Sequence, residues 1–162
     1  MLRKSNCLRR GLPCFTLALA LAGCATSRWP DEPGKPVSVS QAANVDAADQ
    51  FFSALTEARH ARGLPEPIVS PRTQTEIRTF ADDLQAGRTS APGAQRAIEA
   101  WGQKAYQGHV ESWLLDCTGG RKVELPPKLI EEPSAVVAYA AAQFRPASAP
   151  VDQCAVLVVA RR

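Results

Sequence analysis

The residues of this chain that could take part in chemistry are two histidines and a few cysteines and carboxylates. His109 and Glu111 have the His-x-Glu spacing of one class of zinc site, but that site also needs a Cys-x-x-Cys pair, which the sequence lacks. On a β-strand the two side chains share a face, so an ordinary surface pair is predicted. His60 follows Arg59 at the end of a predicted helix, where a cation complements the carbonyl end of the helix dipole.

A nucleophilic site is a second possibility. Cys117 follows Asp116, and His109 is near in sequence. The members of a catalytic triad meet in space, so closeness along the chain is weak support. Neither a Gly-x-Ser-x-Gly elbow nor a phosphate-binding glycine loop occurs in the sequence. The sequence therefore predicts no catalytic residue, no metal site and no cofactor.

Three large aromatic residues remain as candidates for a ligand site. Trp101 falls in a predicted helix, whereas Trp113 and Tyr139 fall in predicted strands. Rings of this kind most often fill a core or form the wall of a cleft, and stacking on a sugar or lipid is the rarer use. We treat the three as candidate ligand-cleft aromatics.

The first 23 residues have the pattern of a secretory signal peptide. Four basic residues and no acid stand among the first ten, and an apolar run follows from Leu12 to Ala22. This run is shorter than the stretch of about 20 apolar residues that a spanning helix needs. A basic start followed by a short apolar run predicts an export signal at residues 1–23.

The apolar run ends in Leu21-Ala22-Gly23-Cys24, which resembles the lipobox of bacterial lipoproteins. The resemblance implies cleavage before Cys24, a diacylglyceryl group on its thiol and, in diderm bacteria, an acylated new N-terminus. Each buried methylene contributes about 0.8 kcal/mol, so two or more chains anchor a protein stably. We expect attachment to a membrane of the bacterial cell envelope, and Ala25 favours the outer membrane over the inner one.

The cysteines can then be assigned. Cys7 and Cys14 leave with the signal peptide and Cys24 is lipidated, so Cys117 and Cys154 are the two that remain in the exported domain. Two thiols in an oxidising compartment most simply form one disulfide bond. The alternative is a nucleophilic or metal-binding cysteine.

The charge of the exported part argues against one class of partner. The whole chain has a formal charge of +3, but four of its 19 basic residues lie in the signal peptide. Fifteen basic and 16 acidic residues remain after its removal. A nearly neutral domain is not suited to electrostatic capture of nucleic acid, which we therefore exclude as a partner.

The mature chain is predicted to be a tether followed by one domain. Residues 24–44 are rich in proline and serine and poor in large apolar residues apart from Trp29. This composition predicts a disordered spacer, in which Trp29 could dip into the membrane interface. Residues 45–162 are predicted to form a single extracytoplasmic domain in the periplasm.

The first half of the domain reads as helices. Apolar residues recur at helical spacing within 46–62, and Gly63 and Pro65 end that stripe. Ser70-Pro71 and Ser90-Ala91-Pro92 each place an N-cap serine before a proline in the first turn, so further helices are predicted to start there. The third helix is predicted to weaken at Gly102.

The second half reads as strands, over 109–117, 135–144 and 154–160. The last is apolar at successive positions, which predicts burial on both faces. Prolines at 126, 127 and 133 predict an ordered loop without a regular element. Helices followed by a small antiparallel sheet give an α+β domain, in which the disulfide would join the end of one strand to the start of another.

The order of these features resembles the bacterial CAP superfamily, the cysteine-rich secretory and pathogenesis-related group. The likeness rests on Leu55, Arg59, the Gly63-Leu64-Pro65 exit and the Pro67–Pro71 segment that leads into a second helix. It covers residues 45–90 and the terminal strand, and it implies an α-β-α sandwich. The family's cavity histidine, its Gly-Glu-Asn segment and its His-Arg-x-Asn-Leu segment are missing, so its metal-binding residues cannot be transferred to this chain.

Three functions are compatible with these features. The first, which we favour, is a non-catalytic envelope lipoprotein that binds a partner protein or a wall component. The second is a small-molecule or lipid-binding CAP-like module with an apolar pocket lined by tryptophan or tyrosine. The third is a hydrolase with a dispersed site, in which His60 or His109 would meet an acid and a nucleophile in one cleft.

Overall fold

The computed structural model describes residues 29–37, 41–134 and 136–161. The predicted signal peptide at 1–23 and the candidate lipidation site Cys24 lie outside these residues. In the part of the chain that is described, no helix is long and apolar enough to cross a membrane.

Helices dominate the first half of the described chain and strands the second half. In chain order the elements are α1 (Gln41–His60), β1 (Ile68–Val69), α2 (Pro71–Gln85), α3 (Ala91–Tyr106), β2 (Val110–Asp116), a 3-10 turn (Thr118–Gly120), α4 (Pro127–Glu131), β3 (Val136–Phe144) and β4 (Gln153–Arg161).

The strands form one mixed sheet in the order β1-β3-β4-β2. β4 pairs antiparallel with both β2 and β3, and the short β1 pairs parallel with β3. The α+β class is confirmed, but the prediction of a purely antiparallel sheet is wrong at this edge. β1 has two residues, too few for a periodic pattern, and it becomes a strand only through its pairing with β3.

Helices cover both faces of the sheet and give three layers, α-β-α. α2 and α3 pack on one face around Ile77, Leu84 and Ile98, and α1 and α4 pack on the other around Phe51 and Leu55. The central strand β4 is buried from Cys154 to Ala160, which confirms the prediction that it is covered on both sides. Membership of the CAP superfamily stays a prediction.

The two serine caps act as predicted. The Ser70 hydroxyl accepts from the backbone N–H of Thr73 and the Ser90 hydroxyl from that of Gly93, and a proline occupies the first turn of each helix. The predicted weakness at Gly102 is not found, because α3 continues to Tyr106.

Gly102 allows α3 to lie close to β2. A Cβ atom added at this position would overlap the side chain of Val110. Tertiary packing at this contact therefore outweighs the low helix propensity of glycine, which costs about 1 kcal/mol relative to alanine.

Cys117 and Cys154 form the predicted disulfide, with their Cα atoms 4.8 Å apart. The bond joins the residue after β2 to the second residue of β4 and leaves neither cysteine with a thiol. It closes a loop with a sequence separation of 37 residues. The loss of loop entropy in the unfolded chain corresponds to a stabilisation of about 4 kcal/mol in the chain-entropy treatment.

The predicted loop around the prolines at 126 and 127 is a short helix instead. Pro127 begins α4, where its missing N–H leaves no helical hydrogen bond unmade.

The buried Arg59 holds this region in place. Its Nε donates to the carbonyl of Pro65 at 2.7 Å, and its Nη1 donates to the carbonyls of Ile130 and Glu132 at 2.7 and 2.9 Å.

The predicted disordered tether at 24–44 is wrong for its described residues. Trp29 is buried and packs on Phe144 with the ring centroids 5.4 Å apart, so it is part of the core. The Asp31 carboxylate accepts from Ser90 at 2.9 Å and from Arg96 at 2.7 Å. The hydrogen bond from Arg96, with a smaller contribution from Ser90, holds the pKa of Asp31 below its usual value.

The backbone of this segment also pairs with the domain. Lys35 N–H donates to the carbonyl of Arg145 at 2.8 Å, and Val37 N–H donates to the carbonyl of Gln85 at 3.2 Å. α1 then starts at Gln41, earlier than the predicted boundary at 45. The composition of residues 24–44 suggested a spacer. The packing of this segment was missed because its partners lie far along the chain, where a local sequence pattern does not show them.

Candidate binding groove

A groove runs along α1 on the side that faces residues 117–125; we call it the α1 groove. It consists of three adjoining cavities of about 330, 540 and 380 Å³. Neighbouring cavities share lining residues such as Gln50 and Glu57, so the groove is continuous. Its α1 wall extends from Ala43 to Ala58, which at 1.5 Å per residue is about 22 Å.

Helical periodicity creates the α1 wall. Phe51 and Leu55 face the sheet and are fully buried. The polar residues Asp46, Asp49 and Ser53 recur at helical spacing on another face and line the groove. The sequence of α1 contains this polar stripe as well as the apolar stripe. The sequence did not indicate that the polar stripe lines a groove, because the position of residues 117–125 opposite α1 was not predicted.

The opposite wall is fixed at one end by the disulfide. Cys117 and Cys154 both line that end of the groove, and the 3-10 turn follows Cys117 directly. The Thr118 side chain adds a link to β4, because its hydroxyl accepts from the backbone N–H of Cys154 at 3.0 Å. This wall is therefore covalently tied to the central strand.

Most of the charged residues in the described lining of the groove are acidic. Four of these lining residues are acidic, namely Asp46, Asp49, Glu57 and Asp152, and one, Lys122, is basic. A cleft lined mostly by one sign of charge concentrates ligands of the opposite sign. The groove is thus suited to an extended partner with positive charge.

The structure separates the three candidate ligand-cleft aromatics. Trp101 lies on the face covered by α2 and α3, where it packs edge-on against Phe80 and Tyr106. Trp113 and Tyr139 lie on the other face, beside Val158 of β4. The three candidate ligand-cleft aromatics therefore cannot line one cleft, because the sheet stands between Trp101 and the other two.

Tyr139 is held among aromatic rings instead of facing a ligand. Its ring centroid is 5.2 Å from that of Phe51 and 5.3 Å from that of Phe52, and the Phe52 ring is stacked on it. Burial raises the pKa of the Tyr139 hydroxyl above its ordinary value, with a smaller contribution from the Asp49 carboxylate.

The residues considered for chemistry do not form one cluster. His60 ends α1 and is exposed, and His109 is exposed just before β2. Cys117 follows the other end of β2 and is in the disulfide. Glu111 bonds with Lys128. Within residues 29–37, 41–134 and 136–161, no three His, Cys, Asp or Glu side chains are placed to hold a metal ion.

A chain of hydroxyl groups near β1 was not predicted. The Thr73 hydroxyl lies 2.9 Å from that of Ser70 and 2.8 Å from that of Tyr106, and Arg161 lies over the Tyr106 ring at 5.3 Å. The cavity beside them is about 10 Å³, room for about one water molecule. These contacts therefore join α2, α3 and β4 and leave no space for a larger ligand.

Comparison of the chain with protein families, with curated proteins and with solved structures gives no match.

Proposed function

We propose that the protein is a bacterial envelope lipoprotein, anchored through acyl chains on Cys24, whose domain binds a partner in the α1 groove and catalyses no reaction. The observation that supports binding is the groove itself, which is open, continuous and about 22 Å long. Support for the anchor comes from Leu21-Ala22-Gly23-Cys24 at the end of the apolar run. Ala25 favours the outer membrane.

The shape of the groove favours an extended partner. At about 3.3 Å per residue, a length of about 22 Å accommodates six or seven residues of an extended chain. The partner is a segment of an envelope protein or a strand of wall material that presents positive charge. Asp46, Asp49 and Glu57 lie on the wall that it would contact.

Site-specific photo-crosslinking in cells tests this assignment. A photoreactive amino acid at Ser53, on the groove wall, is expected to capture one dominant envelope partner. The same amino acid at Thr79, exposed on α2 across the sheet, is the matched control and is expected to capture none. Equal capture from both positions, or none from Ser53 and Gln50, would contradict binding in the groove.

Charge reversal adds a second arm to this experiment. Asp49→Lys removes a negative charge from the groove wall and is expected to lower the yield of the Ser53 crosslink several-fold. Asp82→Lys makes the same change on the exposed side of α2 and is expected to leave the yield unchanged. A yield that responds equally to both substitutions would mean that overall charge, and not the groove, controls capture.

A further inference from the structure

The short connection between the lipidation site and the folded domain restricts how the domain can sit on a membrane. Trp29 is packed in the core. Four residues separate it from Cys24, so the two Cα atoms are at most about 18 Å apart even in a fully extended chain. This replaces the long spacer suggested by composition.

Trp29 lies at one end of the sheet, which we call the disulfide end. Here β2 and β3 finish, at Asp116 and Phe144, and β4 begins at Gln153. The N-terminus of α3 is at the same end, because Ser90 bonds with Asp31. The opposite end of the sheet is about 26 Å away, because β3 has nine residues and a strand rises about 3.3 Å per residue.

Two of the three large apolar side chains with high exposure among the described residues lie at the disulfide end. Among the described residues, the large hydrophobic side chains with high exposure are Val45 at 49%, Val151 at 59% and Ile68 at 62%. Val45 is in the first turns of α1, where its neighbours Ala43 and Asp46 line a cavity with Cys117 and Cys154. Val151 is in the turn between β3 and β4. Ile68 is in β1, at the opposite end.

Two ion pairs lie at the disulfide end. Asp31 pairs with Arg96, and Arg145 pairs with Asp152. Each pair has no net charge, so these four side chains contribute little attraction to anionic lipid.

We propose that the disulfide end of the domain rests on the phospholipid bilayer, with Val45 and Val151 at the boundary between headgroups and acyl chains. This inference rests on the proposed lipidation of Cys24. Apolar side chains that enter this boundary add to the binding that acyl chains provide. α1 then rises from the membrane, and the α1 groove opens sideways above it.

Energy transfer in vesicles tests the orientation. The full lipidated chain is reconstituted in phosphatidylcholine vesicles that contain an acceptor dye on a lipid headgroup. A donor dye is attached at Ala147→Cys, in the exposed β3–β4 turn, or at Ala61→Cys, exposed after α1 at the opposite end. Transfer from position 147 is expected to be severalfold stronger than transfer from position 61.

Three variants test whether the short tether and the two valines cause the difference in transfer between positions 147 and 61. Twelve glycine and serine residues inserted after Ser27 are expected to remove most of the difference between the two positions. Val45→Glu with Val151→Glu is expected to lower transfer from position 147, whereas Ile68→Glu leaves it unchanged. Equal transfer from positions 147 and 61 in the parent chain would overturn the proposal.

The mass of the same preparation separates this inference from the function on which it rests. A chain without acyl groups contradicts the lipoprotein assignment. An acylated chain with equal transfer from both positions contradicts the orientation alone. If either cysteine variant fails to fold, the unsubstituted chain in the same vesicles is treated with an amine reagent in the water phase. Lys35, at the disulfide end, is expected to be modified more slowly than Lys104. Equal modification rates would overturn the proposal.

Discussion

Arg59 shows how one buried side chain can hold three parts of the chain together. Arg59 is 2% exposed, and its guanidinium donates to the carbonyls of Pro65, Ile130 and Glu132. Lysine keeps the charge but cannot reproduce this planar fork of donors. We predict that Arg59→Lys lowers the free energy of unfolding by about 2 to 4 kcal/mol, because the hydrogen bonds that the charged guanidinium donates are lost or weakened.

Urea unfolding followed by tryptophan fluorescence measures this effect. Arg62→Lys is the control, because Arg62 is exposed and pairs with Glu131 at the surface. Exposed ion pairs contribute little, so the control is expected to change stability by about 0.5 kcal/mol or less. Similar losses for the two variants would show that the Arg59 hydrogen bonds do not have the role assigned to them.

Tyr139 gives the protein a predicted sensitivity to alkaline pH. Its folded pKa is raised above the ordinary value of 10.0, first by burial and then by Asp49. Below that ordinary value the hydroxyl is protonated in both states, so stability does not depend on it. As pH rises from about 10 toward the higher folded pKa, the unfolded chain loses the proton first and stability falls.

The unfolding free energy between pH 9 and 11.5 tests this prediction. Tyr139→Phe removes the titrating hydroxyl and keeps the ring among Phe51 and Phe52. We expect the variant to lose less stability than the parent chain over this range. Parallel pH profiles for the two proteins would contradict a raised Tyr139 pKa.

At the scale of elements, Gly34 allows the segment 29–37 to dock. A Cβ atom at this position would overlap the carbonyl oxygen of Arg145. We predict that Gly34→Ala displaces the segment and lowers stability by about 1 to 3 kcal/mol, the usual effect of overpacking. The control is Lys35→Ala, which shortens an exposed side chain and keeps the backbone hydrogen bond to Arg145.

Amide hydrogen exchange reports this displacement directly. The N–H groups of residue 35 and Val37 donate to Arg145 and Gln85 in the folded protein. Both are expected to exchange much faster in Gly34→Ala and at nearly the parent rate in Lys35→Ala. Unchanged protection in Gly34→Ala would mean that the segment does not depend on the close approach at Gly34.

The elements that the sequence predicted well are those with local signals. Ser70-Pro71 and Ser90-Ala91-Pro92 combine a side-chain cap with a proline in the first turn, so both helix starts were predictable. The apolar run of β4 indicated that this strand is covered on both faces, and the two cysteines expected to remain after removal of the predicted signal peptide indicated the disulfide. Each conclusion needed residues that are close in sequence or few in number.

The elements that were missed depend on contacts between distant parts of the chain. Trp29 enters the core through Phe144, which is more than a hundred residues away in sequence. β1 is a strand only because Val136 and Val137 are its neighbours. The α1 groove was missed for the same reason, since its second wall comes from the segment after Cys117. Local patterns contain no information on such pairings.

For the whole molecule, anchor, docked segment and groove form one arrangement. The proposed acyl chains hold Cys24 in the membrane, and the four residues between Cys24 and Trp29 span at most about 18 Å. The segment from Trp29 to Val37 is packed on the domain. The groove then stands beside the bilayer, where a partner in the periplasmic space can reach it from the side.

The measurement that tests this account most directly is the intact mass of the protein extracted from bacterial membranes, with Cys24→Ala as control. We expect a parent chain that begins at Cys24 and has the added mass of a diacylglyceryl group, and a variant that lacks this added mass. A parent chain that retains residues 1–23, or one with an unmodified Cys24, would contradict this account.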